Sequence, residues 1–443
     1  MRLWLERAWL DGATRDGVLV HIDGGRFVDV VADAQPGDAE RVAGLTIPGL
    51  ANCHSHAFHR ALRGRTQRER GTFWTWREQM YAMAGRLDPD SYHRLARAVF
   101  REMVATGITT VGEFHYLHHG PDGTPYDDRN AMGAALLAAA EDARIRITLL
   151  DTCYLTAGMF REPEGVQVRF SDGGAEAWAD RVGELHAAVG GAQPGGVVVG
   201  AAVHSVRAVP ADDIPVVAGW ARDQHAPLHV HLSEQVAENE ACEQAYGRTP
   251  TQVLADAGAL GPNTSAVHAT HLTPEDVALL GGASSYACFC PTTERDLGDG
   301  IGPSRELAAA GAVLTLGSDS HAVVDLFEEM RGVELDERLA SRERGHWSAA
   351  ELLAAGTHDG HRSLGFPDAG VIAVGARADL VTLDTTSIRT AGTGGDETTA
   401  VFAASGADVV RVVSDGRVVA DADGARAAGA ELDRVVRELW ETM

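Results

Sequence analysis

The 443-residue chain has no lysine: all 38 of its basic side chains are arginine, against 63 carboxylates. That absence excludes Schiff-base catalysis by a lysine, a P-loop and a carboxylated lysine bridging two metal ions. Cysteine is also scarce. The five present (Cys53, Cys153, Cys242, Cys288, Cys290) include no C-x-x-C pair, and an odd number in a long chain argues for reduced, buried thiols rather than a disulfide framework. No apolar run reaches the roughly 18 residues that span a bilayer, and MRLWLERAWLDG lacks the apolar core of an export signal, so a cytoplasmic location is expected. A net charge of −25 repels phosphate backbones and anionic headgroups. Nucleic acid and membrane are therefore poor partners, and a small molecule is the expected one.

What is present is ordinary globular composition, 45% hydrophobic and 23% charged. At about 150 residues per domain the length suits two to three domains, or one large barrel with an appendage. Eight short β-rich apolar runs alternate with helical stretches: TIPGLANCHSH (46–56), TTVGEFHY (109–116), RITLLDTCY (146–154), GVVVGAAVHSV (196–206), APLHVHLSE (226–234), SAVHATHL (265–272), SYACFCPTT (285–293) and AVLTLGSDS (312–320). Eight such units predict an α/β fold, a closed (β/α)8 TIM-type barrel over residues 46–370. Short alternating pieces joined by Asp-Gly and Gly-Gly turns fill residues 1–45, and the same texture returns in 371–425. The two ends are expected to pair into a small β-sandwich domain, and residues 426–443 to form a terminal helix.

Histidines gather in these runs and just beyond their C-terminal ends, the face that carries chemistry in barrel enzymes. His54 and His56 are two apart, so on an extended strand both imidazoles point the same way. The fifth run repeats the spacing with His229 and His231, followed by Glu234. Either imidazole could be a ligand; His231 is the better candidate because it lies nearer the strand end, while His229 reads as a core histidine. The sixth run supplies His268 and His271. The eighth presents Asp319, which reads equally as a ligand and as the N-cap of a following helix. Imidazoles and a carboxylate drawn from several strands suit a divalent ion, Zn²⁺ above all, with Fe²⁺ or Mn²⁺ accepting the same donors. Gly298, Gly300 and Gly302 lack the phosphate-binding fingerprint and read as a turn over the barrel mouth. Ser318, Asp319 and His321 are too close in sequence to converge as a hydrolytic triad, and no G-x-S-x-G occurs.

The order H-x-H on the first run, H-x-x-E on the fifth, His on the sixth and Asp on the eighth resembles the amidohydrolase superfamily, in its mononuclear deaminase branch. ARADLVTLD is similar to a recurrent strand of that superfamily's β domain. PGLANCHSHAFHRALRG, FWTWREQMY, EFHYLHH, HSVRAV, HLSEQ and HATHL resemble, more narrowly, the branch's deiminases of N-formimino-L-glutamate, which act in histidine degradation. The resemblance implies His54, His56, His231 and Asp319 as metal ligands, with Glu234, His268 and Asp319 in catalysis. It implies Arg77, Tyr116, His204 and Arg207 as contacts to a small dicarboxylate substrate, with His59 standing where those deiminases carry Gln, and it implies a homodimer. The physical case agrees. A guest with two carboxylates needs local arginine in so acidic a chain, and guanidinium grips carboxylate through paired hydrogen bonds. The rivals are a deaminase of a purine or pyrimidine-type heterocycle, a metal-dependent amidase or chlorohydrolase, and a barrel that serves only as a scaffold. A ring would call for apolar walls with few charges.

Overall fold

The computed structural model describes residues 1–67, 73–190 and 196–441. The chain opens with β1 (Arg2–Leu10), β2 (Ala13–Asp23), β3 (Arg26–Val31) and β4 (Glu40–Pro48). The barrel strands follow: β5 (Leu50–Ser55), β6 (Ile108–His115), β7 (Arg146–Cys153), β8 (Val197–Val203), β9 (Leu228–Leu232), β10 (Thr264–His268), β11 (Tyr286–Phe289) and β12 (Val313–Leu316). Three more strands, β13 (Leu380–Leu383), β14 (Val409–Ser414) and β15 (Arg417–Asp421), precede a last helix, Ala422–Glu441.

Strands β5 to β12 form one parallel sheet in sequence order. Every residue of β6 and β7 is buried, as expected of parallel strands covered by helices outside and packed side chains within. The sheet closes on itself just beyond the strand ends, where Ser318 and Asp319 N–H donate to His54 O at 3.0 and 2.9 Å and His56 N–H donates to Asp319 O at 3.2 Å. The outer helices start where the sequence signals them. Before Pro89–Ala105, the Asp88 carboxylate accepts from Ser91 N–H at 2.8 Å and proline stands in the first turn.

The strands of both chain ends belong to a single seven-stranded mixed sheet, ordered β15-β14-β13-β4-β1-β2-β3. It keeps a core of its own around Leu3, Leu5, Val18, Val20, Phe27 and Leu380. The run TIPGLANCHSH divides between the two sheets. Thr46 to Pro48 pair with β13, and the barrel strand starts at Leu50. Gly49 is the hinge, because a Cβ there would lie 2.3 Å from Thr109 Oγ1. Arg146 at the start of β7 ties the sheets together through buried Asp379, which it meets with two guanidinium nitrogens.

The C-terminal helix begins at Ala422, earlier than the sequence suggests; residues 442 and 443 of the expected element lie outside the described residues. It lies along Pro89–Ala105, where Arg101 meets Glu431 at 2.6 Å, and Trp440 Nε1–H donates to Ala61 O at 2.8 Å. Among the described residues no helix is long and apolar enough to cross a membrane.

Candidate active site

The extended backbone of β5 turns His54 and His56 to one side, and the seam between β5 and β12 brings Asp319 against both. His54 Nε2 lies 3.3 Å and His56 Nε2 3.2 Å from Asp319 Oδ1. From β9, His231 Nε2 reaches within 3.0 Å of His54 Nε2 and 3.4 Å of His56 Nε2. The geometry bears on two open choices. His231 joins the cluster, while His229 sits wholly buried with neither ring nitrogen partnered among the described residues. Asp319 caps no helix; the N-cap of Leu326–Ser341 is Asp325, which accepts from Phe327 and Glu328 N–H.

Two of the imidazoles have their tautomer set by the backbone. His56 Nδ1–H donates to Phe114 O at 3.0 Å and His231 Nδ1–H to His204 O at 2.9 Å, which leaves each Nε2 with its lone pair facing the cluster. Burial holds the His54 and His231 rings neutral, pushing His54 down to about 4 and His231 well below the ordinary histidine range. Lone pairs and a carboxylate oxygen facing one another at such distances repel, unless a cation lies among them. The donor set therefore fits a divalent metal ion. His268 stands beside it: the ligand-capable atoms of His54, His231, His268 and Asp319 all lie within 4.8 Å of one another.

His268 Nε2 is 3.9 Å from Glu234 Oε1 and 3.8 Å from Asp319 Oδ2, and its Nδ1 is 3.4 Å from Glu294 Oε1. Burial would lower this imidazole, but the three carboxylates outweigh burial and raise it well above the ordinary range. The backbone here is strained. Ser233, His268, Ala269, Asp319 and His321 all have left-handed φ, between 40° and 69°. Such non-glycine conformations cost roughly 1–3 kcal/mol each and cluster at functional sites.

A cavity opens from this cluster. Its lining holds all the residues expected to meet substrate: His59, Arg77, Tyr116, His204 and Arg207. His59 Nε2 and Tyr116 Oη are 3.0 Å apart. Arg207 donates Nε–H to buried Glu238 at 3.1 Å, and its terminal nitrogens make no hydrogen bond among the described residues. Arg77 lies over the Tyr81 ring at 5.5 Å.

Several contributors escaped the sequence reading. Glu294 and Glu238 hold His268 and Arg207, and an aromatic wall of Trp76, Tyr81, Tyr154 and Phe170 completes the cavity. Trp76 and Tyr81 sit in the FWTWREQMY segment that also supplied Arg77. Glu238 lies four residues after Glu234, in the first turn of the helix Val236–Tyr246, a proximity that could have flagged it. Nothing local marks Glu294.

Imidazoles and one carboxylate converging at the C-terminal mouth of a parallel barrel, beside a carboxylate–imidazole pair, form the arrangement of a metal-assisted hydrolase. The chain belongs to the amidohydrolase family, whose sequence pattern matches residues 45–419. It is 36% identical over 393 residues to formimidoylglutamate deiminase of Pseudomonas aeruginosa, covering 86% of each chain. Among solved structures it is similar to an amidohydrolase from Brucella melitensis, 30% identical with a TM-score of 0.89 over 99% of both chains. An adenosine deaminase from Xanthomonas campestris with bound zinc shares the fold, at 22% identity and a TM-score of 0.83 over 98% of both chains.

Proposed function

We propose that the protein hydrolyses N-formimino-L-glutamate to N-formyl-L-glutamate and ammonia. The observation that carries this reading is the pair Arg77 and Arg207 lining one cavity with the donor cluster, in a chain of net charge −25. Two guanidiniums are poorly matched to a neutral heterocycle and well matched to the two carboxylates of a glutamate. The 36% identity to a formimidoylglutamate deiminase supports it independently.

In this reading His54, His56, His231 and Asp319 hold a divalent ion, with zinc preferred by imidazole and carboxylate donors. When bound, the ion supplies the Lewis acidity that makes water a nucleophile at neutral pH. Arg207 and Arg77 bind the carboxylates, and His204, Tyr116 and His59 line the path between them and the reacting carbon. Asp319 accepts a proton from the attacking water through a carboxylate oxygen. His268 Nε2 faces the developing charge at the formimino carbon and stabilises it. Glu234 Oε1 then takes the hydroxyl proton of the adduct as the formyl C=O forms and delivers it to the nitrogen that departs as ammonia, while the proton on Asp319 returns to solvent.

The aromatic wall of Trp76, Tyr81, Tyr154 and Phe170 favours one rival, a heterocycle stacked in the cavity. The two are separated by measuring ammonia release from N-formimino-L-glutamate, adenosine, guanine and cytosine on enzyme of known metal content. N-formimino-L-glutamate alone is expected to turn over efficiently; a higher kcat/KM on a nucleobase or nucleoside would overturn the proposal. Glu234→Gln is expected to keep full metal content and lower kcat by about 10²- to 10⁴-fold.

A further inference from the structure

Arg169 is wholly buried, yet among the described residues no carboxylate lies within ion-pair distance of it. Taking a guanidinium out of water without an anion is costly. What it meets instead is backbone: Nη1 donates to Ala84 O at 2.5 Å, Nη2 to Leu87 O at 2.6 Å and Nε to His119 O at 2.9 Å, with the Tyr126 hydroxyl also against it. Its own carbonyl accepts from His118 and His119 N–H at 3.0 and 2.9 Å.

The first two acceptors explain the arrangement. Ala84 is the last residue of the helix Phe73–Ala84, and Leu87 stands just before the next helix, Pro89–Ala105. Carbonyls at a helix C-terminus lack partners within the helix and carry its partial negative charge, so a buried cation is satisfied there without a carboxylate. The helix so gripped lies outside the barrel and carries Trp76, Arg77, Met80 and Tyr81, one wall of the cavity. Gln167, two residues away, adds a second tie. Its Nε2 donates to Tyr154 Oη at 2.7 Å and to Tyr81 Oη at 3.2 Å, joining that helix to the loop after β7. Phe170 packs between the same two tyrosines, with ring centroids 6.1 and 5.3 Å away.

We propose that Arg169 is a positioning residue: its fork clasps the end of the helix Phe73–Ala84 and so places Arg77 to receive a substrate carboxylate. The proposal rests on the reading of Arg77 as a carboxylate ligand. Arg169→Met removes the fork, and Arg169→Lys keeps the charge and most of the volume while losing the planar three-point grip. Both variants are expected to raise KM for N-formimino-L-glutamate about tenfold, with kcat and metal content unchanged, because only binding is touched. The double variant with Arg77→Met should be no worse than Arg77→Met alone. Amide hydrogen exchange should quicken in residues 73–87 and not in the barrel strands. A fall in kcat at unchanged KM, full additivity with Arg77→Met, or unchanged exchange in 73–87 would each overturn the proposal. If wild-type enzyme releases no ammonia from N-formimino-L-glutamate, the substrate reading fails separately, and the exchange measurement still decides whether Arg169 holds the helix.

Discussion

Among the described residues two buried clusters of histidine and aspartate lie in this barrel, one around Asp319 and one around Asp151, and either has donors that could hold a metal. His115, His118 and Asp151 bring their ligand-capable atoms within 4.8 Å of one another, just as the Asp319 set does. The difference lies in what already neutralises the carboxylate. Asp151 receives Arg181 through both oxygens, at 2.8 and 2.9 Å, and the Trp178 indole N–H at 3.0 Å. Arg181 spans on to Asp172, which also meets His119 Nε2 at 3.0 Å. His118 Nε2–H is already spent on Thr152 O at 2.9 Å. The Asp319 carboxylate, by contrast, is met at close range by imidazoles and, among the described residues, by no arginine. A carboxylate already paired with an arginine has its charge answered within the protein; donors that face each other with no side-chain cation among them fit a metal ion better.

Substitutions can break that comparison in a definite order. The largest effect is expected from Asp319→Ala, which should abolish measurable ammonia release and lower bound metal, read by elemental analysis of the purified protein. Asp151→Ala should do the reverse, leaving metal content intact while costing about 3–5 kcal/mol of stability in chemical denaturation, because Arg181 loses a buried partner. A loss of metal in that variant would show that the two clusters do not divide as described.

Acid should act on the second cluster in two stages. Burial pushes His118 down from 6.5 to about 4, so it stays neutral in the fold while the unfolded chain takes up a proton. Its contribution is present above pH 6.5 and lost as pH falls towards 4. Asp151 would be raised by burial, but Arg181 holds it below its ordinary value of 3.8, so its contribution is full above that pH and lost on further acidification. Denaturation midpoints across this range should fall accordingly, and the lower stage should shrink in Asp151→Ala. The smallest effect tests the neighbouring aspartate. Asp325→Ala removes a helix N-cap and should cost about 1 kcal/mol without touching kcat, whereas Asp319, six residues earlier, should show the opposite pattern.

The barrel and most of the site are legible in the sequence because strand ends are where alternation gives way to turn chemistry, and histidines there stand out from an apolar run. H-x-H, His231, Glu234, His268 and Asp319 all have that local signature. Their alternatives needed three dimensions. The choice between His229 and His231 turns on which layer of the barrel each reaches, and the choice for Asp319 on a cap that Asp325 takes instead. The strand boundary at Pro48–Gly49 was hidden because β4 and β5 are both apolar and separated by one residue. Arg169 was invisible for a different reason. Its partners are carbonyls about 50 and 80 residues away in sequence, and a carbonyl leaves no mark on the residue that offers it.

The seam of the barrel has one more implication. His54 and Asp319 close the cylinder through their backbones and, through their side chains, crowd the place where an ion would sit. A cation held there would work as a buckle, fastening the first stave of the barrel to the last. Occupancy and circular integrity would then rise and fall together, with heat or chelators opening the hoop at that join before any other.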